Sequence, residues 1–190
     1  CAGKQDYAPI SDFLCSLYQP DNRDGNWFQP MWEYAYTHPW FDDDSVSHIG
    51  VWEDGGSIVA VATYESRLGE AFFQVRSGYE DLKADMLAYA EQNLAAADDS
   101  GKRYLRAYVN DFDAALEQIV RERGYVLYPR GHRPMAQFLI PRPFPIIPLR
   151  DGFRLKSLAD DNDLAKVDRA LHRGFNHPGE PPPDGIKDRM

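Results

Sequence analysis

The sequence predicts an α+β fold, with a mixed, mostly antiparallel sheet and helices packed against it. Three observations carry the prediction. "HIGVWE" and "SIVAVATYE" are β-rich runs joined by Asp54-Gly55-Gly56, and Asp-Gly between apolar runs is a hairpin signal. A third run, "EAFFQV", follows Arg67-Leu68-Gly69 and passes through Ser77-Gly78 into "YEDLKADMLAYAEQNLAA". There Leu82, Met86, Ala90 and Leu94 recur every four residues with Asp81, Lys83, Asp85 and Glu91 between them, the pattern of an amphipathic helix. Later, "RYLRAYVN" alternates as a strand and leads into a second apolar helical stripe.

The bulk properties bound the class. The chain has 190 residues, 43% of them hydrophobic and 13% aromatic, enough for one domain with a sizeable core, or for one domain and part of another. A formal net charge of −9 argues against nucleic-acid or anionic-membrane partners, which need a basic face. No apolar run approaches the roughly 20 residues of a membrane span. Two cysteines, Cys1 and Cys15, do not make a disulfide framework, so a cytoplasmic location is expected. The Cys1-Ala2-Gly3 start reads as a trimmed end, with a lipidated lipoprotein start as the alternative.

Taken in order, Ile10, Phe13, Leu14, Leu17 and Tyr18 form one helical stripe that Pro20 ends. A polar loop then leads to Trp27, Phe28, Trp32, Tyr34, Tyr36, Trp40 and Phe41, partly on a short helix ended near His38-Pro39. These rings either roof the core or line a pocket for an organic substrate. After the meander and its helix, Arg103–Val109 is a strand, and Asn110 or Asp111 caps a helix carrying Phe112, Ala115, Leu116, Ile119 and Val120. Gly124 closes that helix, and "YVLYP" and "MAQFLI" read as two strands around a Gly-His-Arg loop. The domain is expected to span 1–143, followed by a proline-rich linker at 144–150. In 151–190, "FRLKSL" reads as a strand and "DDNDLAKVDRALHRGF" as a helix capped by Asp161 or Asn162, the opening of a second, truncated domain.

The order helix, helix, meander, helix, strand, helix, two strands resembles the GNAT superfamily of N-acyltransferases over about residues 7–140. The strand ending in Asn110, its helix, then "RERGY" and a paired strand are similar to the family's closing segment. The second opening is similar to the first strand and helix of another copy, so the whole resembles a tandem-GNAT protein. The resemblance implies a three-layer α/β arrangement with helices on both sheet faces. It implies an acyl-CoA, such as acetyl-CoA, lying between two splayed strands, with its pyrophosphate at the start of the following helix. It also implies a small-molecule amine as acceptor and no metal. The residues placed at the acyl-CoA are Phe73, Gln74 and Val75 of the fourth strand, Tyr79 at the helix start and Asn110 at the end of the fifth strand. Glu65 and Glu70 flank the Arg67–Gly69 turn near where a catalytic base would come from. Their other reading is that of solvated hairpin-end carboxylates.

The chain departs from the family twice. The phosphate loop, Arg/Gln-x-x-Gly-x-Gly/Ala, is matched by Glu80-Asp81-Leu82-Lys83-Ala84-Asp85, which has no glycine and three acids. The family's proton-donating Tyr falls at Val120, which has no proton to give. The first copy is therefore expected to be degenerate, with acyl transfer carried by the second. The alternatives are a non-enzymatic ligand- or protein-binding module, or an active first copy with Glu65 or Glu70 as base. The apolar residues of 151–190 are expected to pack on the first domain or on a neighbouring copy, in a homodimer, with a free tail as the alternative. His172, His177 and Glu180 match no zinc spacing, Ser77-Gly78 lacks a nucleophile elbow's flanks, and His132 is a turn residue.

Overall fold

Gly55 and Gly56 both take positive φ, 56° and 78°, which closes a tight hairpin between β1 (Gly50–Asp54) and β2 (Ser57–Thr63). The computed structural model of the chain describes residues 4–19, 25–38, 41–134 and 138–181. β2 also pairs antiparallel with β3 (Glu70–Val75), from Ala60 opposite Val75 to Thr63 opposite Phe72. Every residue from Val59 to Tyr64 is buried. Side chains on a strand alternate between faces, so both faces of β2 are covered. The fold is α+β: helices with a mixed, mostly antiparallel sheet.

The expected strand at 103–109 is broken into two pieces that serve different ladders. β4 (Ala96–Ala97) pairs antiparallel with β5 (Arg103–Tyr104), whereas β6 (Arg106–Ala107) pairs parallel with β3. The main sheet runs β1-β2-β3-β6. Gly69 sits where the ladders part: its N–H donates to the Leu94 carbonyl at 2.7 Å, and its own carbonyl accepts from Arg106 N–H at 2.9 Å. Sequence alternation reports that a segment is extended, not which neighbour it bonds.

The helices form where the apolar stripes lie. α1 (Tyr7–Ser16) buries Ile10, Phe13 and Leu14 and packs on β2 and on α2 (Gln29–Thr37), but Tyr18 falls past the helix end and is exposed. A 3-10 turn (Glu80–Leu82) opens α3 (Lys83–Asn93), whose Met86, Leu87 and Ala90 are buried against the sheet with Leu94 after its end. α4 (Ala114–Glu122) buries Leu116 and Val120 and is capped by Asp113, not by Asn110 or Asp111, because the Asp113 side chain accepts from Leu116 N–H. Phe112 therefore stands outside the helix and is exposed. Most of the aromatic cluster is core: the rings of Tyr7, Trp32, Tyr36, Phe41 and Tyr64 touch in sequence, with centroids 5.2–5.7 Å apart. Pro20, Pro39 and Trp40 lie outside the described residues.

The chain divides into two compact units, Cys1–Arg133 and Pro134–Met190. Of the two strands expected after Gly124, residues 125–129 form none: Val126 and Leu127 stand 87% and 90% exposed, and β propensity needs a neighbouring edge to act on. Residues 138–140 are likewise not a strand, and Met135–Gln137 lie outside the described residues. In the second unit, Phe153–Leu158 has no ladder partner among the described residues and forms no strand. The expected helix is present as α5 (Leu164–Gly174), capped by Asp163, which accepts from Lys166 N–H, in place of Asp161 or Asn162. Among the described residues no helix is long and apolar enough to cross a membrane.

Candidate functional site: the cleft between β3 and β6

β3 and β6 start as a regular parallel pair, with Glu70 opposite Arg106 and Ala71 opposite Ala107. Arg106 N–H donates to Gly69 and Tyr108 N–H to Ala71, each at 2.9 Å. In a parallel ladder the bonds recur at two-residue steps, so the next rung should run from Phe73 N–H to the Tyr108 carbonyl. That rung is not direct. Phe73 N–H donates to Asn26 Oδ1 at 3.0 Å, and Asn26 Nδ2 donates to the Tyr108 carbonyl at 2.5 Å. The strands have parted by the width of one amide, and a side chain from the loop before α2 fills the gap.

The neighbours of Asn26 fix it there. Asn110 Nδ2 donates to the Gly25 carbonyl at 2.7 Å, and Trp27 N–H reaches Gln74 Oε1 at 3.4 Å. Gly25 has φ +127°, and a Cβ there would come within 1.8 Å of Gln74 Oε1, so only glycine fits. Trp27 is fully buried with its ring 4.6 Å from Phe72, while its indole N–H has no partner among the described residues. Three of the residues expected at an acyl-CoA, Phe73, Gln74 and Asn110, are thus brought together, but around the chain's own residues 25–27. Val75 instead completes the β2 ladder opposite Ala60, and the Tyr79 hydroxyl donates to Asp54 Oδ2 at 2.6 Å, away from the cleft.

The start of α3 is also occupied. Both carboxylate oxygens of Glu80 accept from Gly78 N–H, at 2.9 and 3.1 Å. The Glu80 and Gly78 backbone N–H groups hold that carboxyl below the usual range. Lys83, the cation of this turn, is 2.8 Å from both oxygens of Asp113, with side chains 12% and 20% exposed. An incoming polyanion would meet carboxylates and a lysine already neutralised.

Glu65 and Glu70 lie on the other side of the turn, each beside an arginine. Glu65 pairs with Arg133 and Glu70 with Arg106, at 2.5 and 3.2 Å. The Arg133 guanidinium lies over the rings of Tyr108 and Phe72, which stack at 4.2 Å and 7°. Burial pushes the Glu70 carboxyl above the ordinary range; Arg133 and Arg106 oppose the shift and Glu65 adds to it. At Glu70 burial outweighs the pull of the guanidinium groups, and each of the two carboxylates has an oxygen engaged by an arginine. Glu65 also borders a depression of about 230 Å³ with Tyr34, Ala35, His38, Phe41 and Ser66.

Sequence reading missed Asn26, Arg133 and Asp113. Asn26 lies in a polar loop without periodicity, and its role depends on contacts with residues 73 and 108, far along the chain. Asp113 was legible in principle as an acid three residues before Leu116. The His172 and His177 rings lie tilted against each other, 5.0 Å apart, and His172 Nε2 meets the Pro178 carbonyl, while Glu180 binds Arg169 and Arg173. No group of three or more potential metal ligands occurs among the described residues. Comparison with protein-family models and with curated proteins found no match to this chain.

Proposed function

We propose that residues 4–133 form a GNAT-like domain that does not itself transfer acyl groups, and that holds structure or ligand for an acyl-CoA-dependent N-acyltransferase copy elsewhere in the protein. The observation that carries this reading is the start of α3, where Glu80 takes the Gly78 N–H and Asp113 takes Lys83. The sheet order, the parting of β3 from β6 and the cover on both faces of β2 support the three-layer arrangement. Val120, at the position of the proton donor, is buried in the core, and both candidate bases are bound to arginines. In this reading the acyl donor is acetyl-CoA or another acyl-CoA, the acceptor is a small-molecule amine, and α5 belongs to the opening of the second copy. Calorimetric titration of residues 1–190 with acetyl-CoA at physiological salt tests it. The expected result is no measurable heat of binding, and micromolar affinity would refute it.

A second reading, a non-enzymatic binding module, is favoured by the depression beside Glu65. Aromatic walls with one carboxylate suit a small organic cation. A thermal-shift screen of amines without acyl-CoA separates the two: stabilisation lost in Glu65→Gln supports the module.

A further inference from the structure

We infer that the Asn26 side chain is a surrogate peptide group, spliced into the β3–β6 ladder as its next rung, and that the slot it fills is built to take a secondary amide. A carboxamide presents the same C=O and N–H as a backbone peptide unit. Here both ends are used in the sense a strand would use them: Oδ1 accepts from Phe73 N–H and Nδ2 donates to the Tyr108 carbonyl. The rung is in register, because Phe73 and Tyr108 are the pair that the bonds at Gly69 and Ala71 select. The slot is partly shielded from water: Phe73 is buried, Asn26 and Tyr108 are half-buried, and the stacked Phe72 and Tyr108 rings lie beneath Arg133.

Each alternative occupant is poorer. An apolar side chain at 26 would leave a buried N–H and a carbonyl unpaired, which is unfavourable away from water. A carboxylate would satisfy Phe73 N–H but set an acceptor against the Tyr108 carbonyl. A ligand meets both groups only if it carries a donor and an acceptor in one planar unit, as a secondary amide does. The chain therefore reads as self-liganded at this slot. The rung follows from the chain's own ladder; only the choice of pantetheine as probe, an extended chain with two secondary amides, rests on the proposed acyl-CoA reading.

Asn26→Asp keeps the shape and removes the donor, while Asn26→Ala removes both groups. Amide hydrogen exchange is read at Phe73, with Val61 and Ala62 in β2 as internal controls, in the full 190-residue chain. In Asn26→Ala Phe73 is expected to exchange at least tenfold faster relative to the controls than in the parent, whereas Asn26→Asp, which keeps the acceptor for Phe73 N–H, should retain more of that protection. Saturating pantetheine should slow Phe73 exchange in Asn26→Ala and leave the parent unchanged. Parent-like protection of Phe73 in Asn26→Ala without ligand overturns the rung, because the N–H would then be shielded without the amide. Failure of pantetheine to protect Asn26→Ala overturns the amide slot, since the space would then be closed by packing. The reading of the whole domain as non-catalytic fails on a different result, acetyl-CoA binding to the parent.

Discussion

Replacing Asp113 disturbs two connections at once, and a pair of variants separates them. Its carboxylate caps α4 through Leu116 N–H at 3.0 Å and holds Lys83 at 2.8 Å through both oxygens. Loss of an N-cap costs about 1 kcal/mol. Stranding a lysine that is 12% exposed approaches the roughly 3–5 kcal/mol of a broken buried pair. With Asp113 itself 20% exposed, water screens the site, and about 2 kcal/mol is the reasonable share. Asp113→Ala should therefore lose about 3 kcal/mol, which is about 12 °C in Tm at about 4 °C per kcal/mol for a unit of this size. Asp113→Asn keeps an acceptor for the cap and should lose only about 2 kcal/mol. Adding Lys83→Met to Asp113→Asn removes the stranded charge, so the double variant should recover about 1 kcal/mol. Urea denaturation followed by far-UV circular dichroism measures all four proteins. Should Asp113→Ala lie within about 0.5 kcal/mol of the parent, the pair is a surface contact without energetic weight and the reasoning is refuted.

Gly25→Ala should destabilise by more than about 2 kcal/mol, because it combines φ +127° with a Cβ placed 1.8 Å from Gln74 Oε1. A thermal melt within about 2 °C of the parent would show that residues 25–27 shift freely. The raised Glu70 carboxyl has a pH signature. Its folded-state pKa lies above the ordinary 4.5, so the native state binds the proton more tightly than the unfolded chain does. Glu70 thus stabilises the fold in acid, and that contribution is lost as pH rises from about 4.5 through the folded pKa. Urea titrations from pH 4 to 7 should show a shallower loss of stability with rising pH in Glu70→Gln than in the parent, and parallel curves would contradict the assignment.

Local chemistry made most of the first unit legible. The Asp54-Gly55-Gly56 turn, the α1 stripe at Ile10, Phe13 and Leu14, and the fourfold spacing of Met86, Ala90 and Leu94 each act within one element, so sequence reports them directly. What failed depended on partners. Residues 103–109 alternate as a strand should, yet Gly69 diverts one half of the segment to β4 and the other to β3. Residues 125–129 and 153–158 carry β-prone side chains but find no edge to pair with among the described residues. The cleft residues show the same division. Phe73, Gln74 and Asn110 were placed together by the resemblance to the GNAT superfamily, while the group that fills the space between them comes from a loop without pattern.

The self-occupied cleft bears on how two parted strands are kept stable. Parting two strands exposes polar edges on both, and each unpaired N–H or C=O shut away from water costs about 1–3 kcal/mol. A ligand-binding protein tolerates that cost between turnovers because water enters the open cleft and the ligand then satisfies the edges. A domain without the ligand has two stable choices, to close the sheet or to fill the gap. Closing it would carry β6 toward β3 and disturb Asn110 and Asp113, which lead into α4, and with them the Lys83 pair that ties α4 to α3. Filling the gap leaves all of these in place and needs one planar amide, held by a glycine that alone fits beside Gln74. The filled cleft and the occupied helix start therefore belong to one arrangement. In each, a group of the chain satisfies polar atoms that would otherwise be left without a partner, and the parted strands and the helix start are stabilised together.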